Sequence, residues 1–292
     1  MTAQLIDGTR IAREVRARVA AEVAEFRERT GVIPGLATIL VGEDPASEVY
    51  VRNKRRLAVE TGMADLHRHL DADVTQPAVA AIIEELAHDD AVSGILLQLP
   101  LPQHLESGPL IDLIPALKDV DGLTTLSAGL LARGRPGLRP CTPSGVITLI
   151  DSTGISLEGL NAVVVGRSEL VGGPMSRLLL ERNATVTTAH SRTRDLVAVA
   201  SEADVLIAAA GVPHLIGPEH VKPGAIVIDV GIHRTESGLI GDVRFDEVSP
   251  IAGWLTPVPG GVGPMTIATL LANTVTAARM RADQRMLTRL GP

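Results

Sequence analysis

Short apolar runs that alternate with helix-periodic segments, first over residues 36–97 and again over 161–230, limit this chain more than any other feature. Alternation of this kind needs crossover helices between parallel strands, so the fold class reads as α/β. LATILVG (36–42) is the first strand, and Asp44-Pro45 then opens a helix with an N-cap acid and a first-turn proline. Gly62 closes that helix, and strand signals return near 64–70 and 94–97 around a helix at 76–88. Ahead of them, Ile11, Val15, Val19, Val23 and Phe26 recur at helical spacing over 9–30, with Thr9 as cap and Gly31 and Pro34 as stop. The second run gives strand 161–165, helix 174–182, strand 184–188, helix 193–200 and strands 204–208 and 225–230, before a last helix over 265–288. Between the runs, 118–143 loosens into Gly, Pro and Arg, and the connection between domains is placed there.

A length of 292 residues suits two domains of roughly 150 each. Two Phe, one Trp and one Tyr leave the core to aliphatic side chains and give a flat ligand few rings to stack on. The net charge of −7, with no long basic run, argues against a nucleic-acid partner. Cys141 is the single cysteine, so neither an internal disulfide nor a CxxC zinc site is expected, and no metal is assigned. The first residues lack the pattern of a signal peptide, and no apolar run reaches the ~18 residues of a membrane span. A cytoplasmic protein without a membrane partner is the expectation.

The stretch 161–193 is organised as a nucleotide-binding βαβ unit. A buried strand, Ala162 to Val165, ends at Gly166, and a loop carrying Gly172 and Gly173 leads to Pro174 at a helix start. Such a loop lets phosphate approach the N–H groups of the helix N-terminus, although the spacing is not GxGxxG and a tight turn without ligand would look alike. An NAD site would place Asp or Glu about 20 residues after the first glycine. The sequence there is Ala189-His190-Ser191-Arg192, without an acid, while Arg167, Ser191 and Arg192 could meet a 2′-phosphate, so NADP is preferred. Ile232 ends the apolar run AIVIDVGI (225–232), at the carboxyl end where open parallel sheets bind ligands.

The first half holds the reactive groups. Tyr50 and Lys54 are four apart on the helix after Asp44, hence on one face, although a plain surface pair would have the same spacing. A lysine on a partly dry wall loses its proton more readily than one in water. GILLQLPLP (94–102) ends an apolar strand in Gln98, whose amide needs partners from a substrate or from the loop backbone. KDVDGL (118–123) offers Asp119 and Asp121 beside Gly122: either a turn signal, or a carboxylate able to accept two parallel N–H bonds from an aminopyrimidinone edge. PVPGGVGPMT (257–266) is a side-chain-poor loop against which a flat ligand could lie.

Taken in order, DPASEVYVRNK, GILLQLPLP, KDVDG, PCTPSGV, VVGRSELVGGP, HSRT, IDVGI and PVPGGVGPMT resemble the bifunctional methylenetetrahydrofolate dehydrogenase/methenyltetrahydrofolate cyclohydrolases over nearly the whole chain. The resemblance implies two α/β domains around a cleft, the C-terminal one a Rossmann-like parallel sheet. Residues 1–140 with a returning C-terminal helix (about 268–292) would bind folate, and 141–267 would bind NADP. It also implies a homodimer. By match to the family motifs, Tyr50 stacks on the folate, Lys54 is the central catalytic group, Gln98 supports it and Asp121 holds the pterin edge. Pro257, Gly260 and Gly261 border the folate, and Gly166, Arg167, Ser168, Ser191 and Ile232 contact NADP. The implied activity is NADP-dependent oxidation of 5,10-methylenetetrahydrofolate followed by hydrolysis to 10-formyltetrahydrofolate; the alternatives are a dehydrogenase lacking hydrolysis, another two-domain dehydrogenase such as one acting on shikimate, and a non-catalytic sensor. Two departures stand out: Leu-Thr-Thr-Leu-Ser follows KDVDG, with Ser127 near an expected Asn, and Gly173 replaces a longer side chain.

Overall fold

The computed structural model describes residues 2–236 and 238–290, and for 285–290 the backbone alone. Two compact units form: residues 14–139 with the chain from 270 onward, and residues 2–13 with 140–269.

In the first unit Gly35–Val41 is the central strand, buried along its whole length. It pairs in parallel with Ala64–Asp65 and Arg68–Leu70 on one side and with Gly94–Leu97 on the other. A strand buried on both faces needs cover from both, which is why its sequence is continuously apolar rather than alternating. Helix Gln76–His88 packs Val79, Ile83 and Leu86 onto Ala37, Ile39, Ile95 and Leu97. Helix Val262–Leu290 enters this unit through Asn273, which donates to the carbonyls of Val120 (2.8 Å) and Arg139 (2.9 Å), and through Arg279, which pairs with Glu22 at 3.0 Å.

The second unit is a six-stranded parallel sheet in the order Gln4–Leu5, Trp254–Leu255, Ile226–Asp229, Val205–Ala208, Asn161–Val165, Thr185–Ala189. Strand Asn161–Val165 lies between the next two in sequence, so the chain leaves it in one direction and later returns to its other side. That reversal opens a crevice at the carboxyl edge, the usual ligand position in doubly wound sheets.

Several elements differ from the sequence reading. The first residues, expected with the N-terminal domain, join the second sheet instead: Ala3 and Gln4 donate to Ser249 and Gly253, both at 2.8 Å. Strands of two residues carry no period to read. The stretch 118–143 is not a loose connection, because it contains helix Thr125–Ala132 and the start of helix Cys141–Asp151. Thr124 caps the former by accepting from the Ser127 N–H at 3.1 Å, so the Leu-Thr-Thr-Leu-Ser departure is a capped helix start. The nucleotide helix begins at Gly172 rather than Pro174. Among the described residues no helix is long and apolar enough to cross a membrane.

Candidate active site

Helix Pro45–Glu60 starts where Asp44 accepts from the Ser47 N–H at 2.8 Å. Its buried residues, Ser47, Val51, Lys54 and Ala58, are spaced four, three and four, which is one stripe of a helix. A lysine therefore occupies a core-facing position, only 5% exposed. Its ammonium donates to Gln98 Oε1 at 3.0 Å and stands 4.6 Å from the centroid of the half-buried Tyr50 ring, within cation–π range. Gln98 continues the sheet through its own N–H, bonded to Ile39 O at 2.9 Å, while its side-chain amino group donates to Leu99 O. Both ends of the amide are thus engaged, and its oxygen is held toward Lys54. The partners required of a buried glutamine come from the lysine and the loop backbone.

The segment carrying the two aspartates lies beside strand Gly94–Leu97, with Ile95 N–H donating to Lys118 O at 2.8 Å. Buried Lys118 donates to the carbonyls of Leu86 (3.0 Å) and Asp89 (2.7 Å), anchoring the segment at the end of helix Gln76–His88. Asp119 is 1% exposed and accepts from the N–H groups of Gly122, Leu123 and Thr124 at 2.9, 3.1 and 2.9 Å. The two carboxylates that look equivalent in sequence therefore divide: Asp119 closes the turn, and Asp121 is half-buried.

In the other unit, Val165, Ala189, Ala208 and Asp229 are aligned across four neighbouring strands. Their common carboxyl edge gathers Gly166, Arg167, Ser168, Ser191 and Ile232. Gly166 has φ +133°, and a Cβ on it would sit 2.1 Å from Ala209 O, so only glycine fits. Ser168 Oγ accepts from the N–H groups of Val171 (3.3 Å) and Gly172 (3.4 Å), holding the loop at the start of helix Gly172–Glu181. Arg167, Ser191 and Arg192 are exposed, and Ile232 is 61% exposed. The glycine cradle and the acid-free end of strand Thr185–Ala189 fit a dinucleotide bearing a 2′-phosphate.

Pro257, Gly260 and Gly261 belong to this unit as well, while Tyr50, Lys54, Gln98 and Asp121 belong to the other. Gly260 O accepts from the Thr9 N–H at 3.0 Å, and a Cβ on Gly8 would meet Gly261 O at 1.8 Å. Close approach of two backbones accounts for glycine at position 8, and a φ of +103° favours it at position 260.

The sequence reading missed a pair of buried acids at the same edge. Asp229, 4% exposed, accepts from the N–H groups of Gly231, Asp242 and Val243 at 3.0, 2.9 and 3.0 Å. The available signal was a carboxylate inside the apolar run AIVIDVGI. Burial pushes Asp229 up to about 6 from 3.8, with the charge of Asp242 acting in the same direction and the N–H donors opposing it. The folded chain thus holds this proton more tightly than the unfolded one. The stability it contributes is complete below about pH 4 and is lost as pH rises to about 6, a fall of roughly 3 kcal/mol. In urea melts, wild-type stability minus that of Asp229→Asn should shrink by that amount across the same window. Carboxylates remote from Asp229 cancel in this difference, and a gap independent of pH would refute the burial argument.

Residues 6–121 match the tetrahydrofolate dehydrogenase/cyclohydrolase catalytic domain, and residues 140–282 match the NAD(P)-binding domain of the same enzymes. The chain is 65% identical to the bifunctional protein FolD 2 of Frankia casuarinae, over 96% of this chain and 97% of that one. The crystal structure of the bifunctional methylenetetrahydrofolate dehydrogenase/cyclohydrolase FolD from Campylobacter jejuni superposes with a TM-score of 0.93 at 44% identity, covering 96% of this chain and 99% of that one. The Trypanosoma brucei N5,N10-methylenetetrahydrofolate dehydrogenase-cyclohydrolase, complexed with NADP and an inhibitor, gives a TM-score of 0.92 at 37% identity, over 97% and 99% of the two chains. With both parts of the chain matched and relatives of this identity along almost its whole length, the protein belongs to the tetrahydrofolate dehydrogenase/cyclohydrolase family.

Proposed function

We propose that this chain oxidises 5,10-methylenetetrahydrofolate with NADP and hydrolyses the methenyl product to 10-formyltetrahydrofolate, using Lys54 as the group that manages protons. The observation that carries this reading is the ammonium of Lys54, seated on a core-facing helix position between the Gln98 amide oxygen and the Tyr50 ring. The bifunctional names of the Frankia and Campylobacter relatives favour two steps over a dehydrogenase alone.

The oxidative step asks little of acid–base groups, because two nitrogens flanking the methylene carbon stabilise the cation that remains. NADP, when bound, accepts the hydride. The chain contributes alignment: Tyr50 offers a face to the pterin, and Asp121 accepts N–H bonds from its aminopyrimidinone edge. Gly166, Arg167, Ser168, Ser191 and Ile232 hold the dinucleotide. Hydrolysis asks more. Water attacks the methenyl carbon, a proton leaves the oxygen, and a ring nitrogen must take one up before the C–N bond breaks. Lys54 can exchange that proton, with Gln98 fixing its position. A folate domain of 14–139 with the C-terminal helix, an NADP domain of 140–269 joined by the first residues, a homodimeric state and work in the cytoplasm, supplying one-carbon units for purine, methionine and histidine synthesis, complete the reading.

The decisive assay follows NADPH and the methenyl compound together on purified protein, with methylenetetrahydrofolate as substrate. NADPH without 10-formyltetrahydrofolate above the spontaneous rate would select the dehydrogenase-only alternative. Cofactor choice has its own test. Arg167→Ala should raise the KM for NADP about tenfold and leave that for NAD nearly unchanged, since only the former carries the phosphate that a guanidinium pairs with. Equal effects would remove the argument for a bound 2′-phosphate.

A further inference from the structure

Asp242 is outside every substrate and cofactor contact assigned above, yet it ties together the backbone on which the cofactor edge is built. It is fully buried. Its Oδ2 accepts from the N–H groups of Ala210 (2.7 Å) and Gly211 (2.9 Å), in the turn that follows strand Val205–Ala208. Its Oδ1 accepts from His233 Nε2 at 2.7 Å, and His233 is the neighbour of Ile232. Its own N–H donates to Asp229 Oδ1 at 2.9 Å, at the end of strand Ile226–Asp229. One carboxylate therefore joins the turns leaving two adjacent strands at their carboxyl ends.

Two glycines exist to admit this arrangement. A Cβ on Gly231 would stand 2.2 Å from Asp242 Oδ1, and one on Gly241 would stand 1.8 Å from Asp229 Oδ2. The two joined turns carry Val212 and Ile232, apolar side chains that are 47% and 61% exposed at this edge. Exposed apolar groups on turns fixed from beneath are what a flat, partly apolar ligand needs, because the turns lose little freedom when it binds.

We propose that Asp242, with His233 as its second arm, is a positioning residue for the nucleotide cofactor, holding the Ala210–Val212 and Ile232–His233 turns in the shape that receives it. This rests on the reading that NADP binds along this edge. Asp242→Ala should raise the NADP dissociation constant, measured by calorimetry, and the KM for NADP by tenfold or more. It should leave kcat at saturating NADP within about twofold, and the KM for the folate and the cofactor-independent hydrolysis of methenyltetrahydrofolate near wild type.

Asp242→Asn should restore NADP affinity to within about threefold of wild type. Its amide oxygen can take the two backbone N–H groups, and its amino group can donate to the other tautomer of His233. Should Asp242→Ala fail to fold, His233→Leu releases only one arm and is expected to raise the KM for NADP about threefold to fivefold. Unchanged NADP affinity in the folded Asp242→Ala or in His233→Leu, or hydrolysis falling in parallel with hydride transfer, would overturn the positioning role. Wild-type protein that fails to bind NADP would instead overturn the cofactor reading, and the proposal with it.

Discussion

Replacing Lys54 by Met lowers the hydrolytic step by about 10²–10⁴-fold, the span expected for removing a positioned acid–base group, while part of the hydride transfer survives. The expectation follows from what the side chain touches. Met keeps the length and volume of lysine on a stripe that already holds Val51 and Ala58, so the helix still packs. What disappears is the only atom able to carry a proton at that position, along with the donor to Gln98 Oε1. Relief of a buried charge offsets the cost of leaving Gln98 Oε1 without this donor, so thermal stability should stay near wild type, which separates loss of chemistry from loss of fold. The two steps are assayed apart, one by NADPH formation and the other by decay of added methenyltetrahydrofolate. A full hydrolytic rate in the variant would defeat the assignment of Lys54.

Gly166→Ala should have the opposite selectivity, cutting NADP affinity by about 100-fold or more through a loop forced out of position. Alanine there meets two obstacles together: a backbone at φ +133° and a carbonyl oxygen 2.1 Å from the new Cβ. The neighbour cannot easily yield. The Ala209 N–H is bonded to Val165 O at 2.8 Å, and the Gly166 N–H to Ala189 O at 2.9 Å, so both sides are pinned into the sheet. Hydrolysis of added methenyltetrahydrofolate uses no dinucleotide and should persist. Calorimetric titration with NADP settles the matter, and wild-type affinity would mean that the cradle is not where the cofactor lies.

Much of this arrangement was legible in the linear sequence. The apolar runs read at 36–42, 94–97, 161–165 and 225–230 became the parallel strands Gly35–Val41, Gly94–Leu97, Asn161–Val165 and Ile226–Asp229. Asp44-Pro45 became a capped helix start. The ordered motifs named the family, because each is short but their succession is specific. The misses share a cause. Gln4–Leu5 and Trp254–Leu255 are too short to show a period, and their pairing joins residues about 250 apart. Helix Cys141–Asp151 carries a proline and a glycine that locally argue against it.

At the candidate site, residue type and spacing singled out Tyr50, Lys54, Gln98 and the Asp119/Asp121 pair, and the family resemblance chose Asp121 and gave each its expected role. Which face of the helix Lys54 occupies, which of Asp119 and Asp121 is consumed by its own turn, and what Gln98 bonds to were open until the chain was folded. Asp242 was invisible for the same reason, since its partners at 210, 211, 229 and 233 are brought to it by two different segments. Period, capping and motif order depend on neighbours along the chain and can be read from it. Burial and hydrogen-bond partnership depend on neighbours in space, and only the packed sheet supplies those.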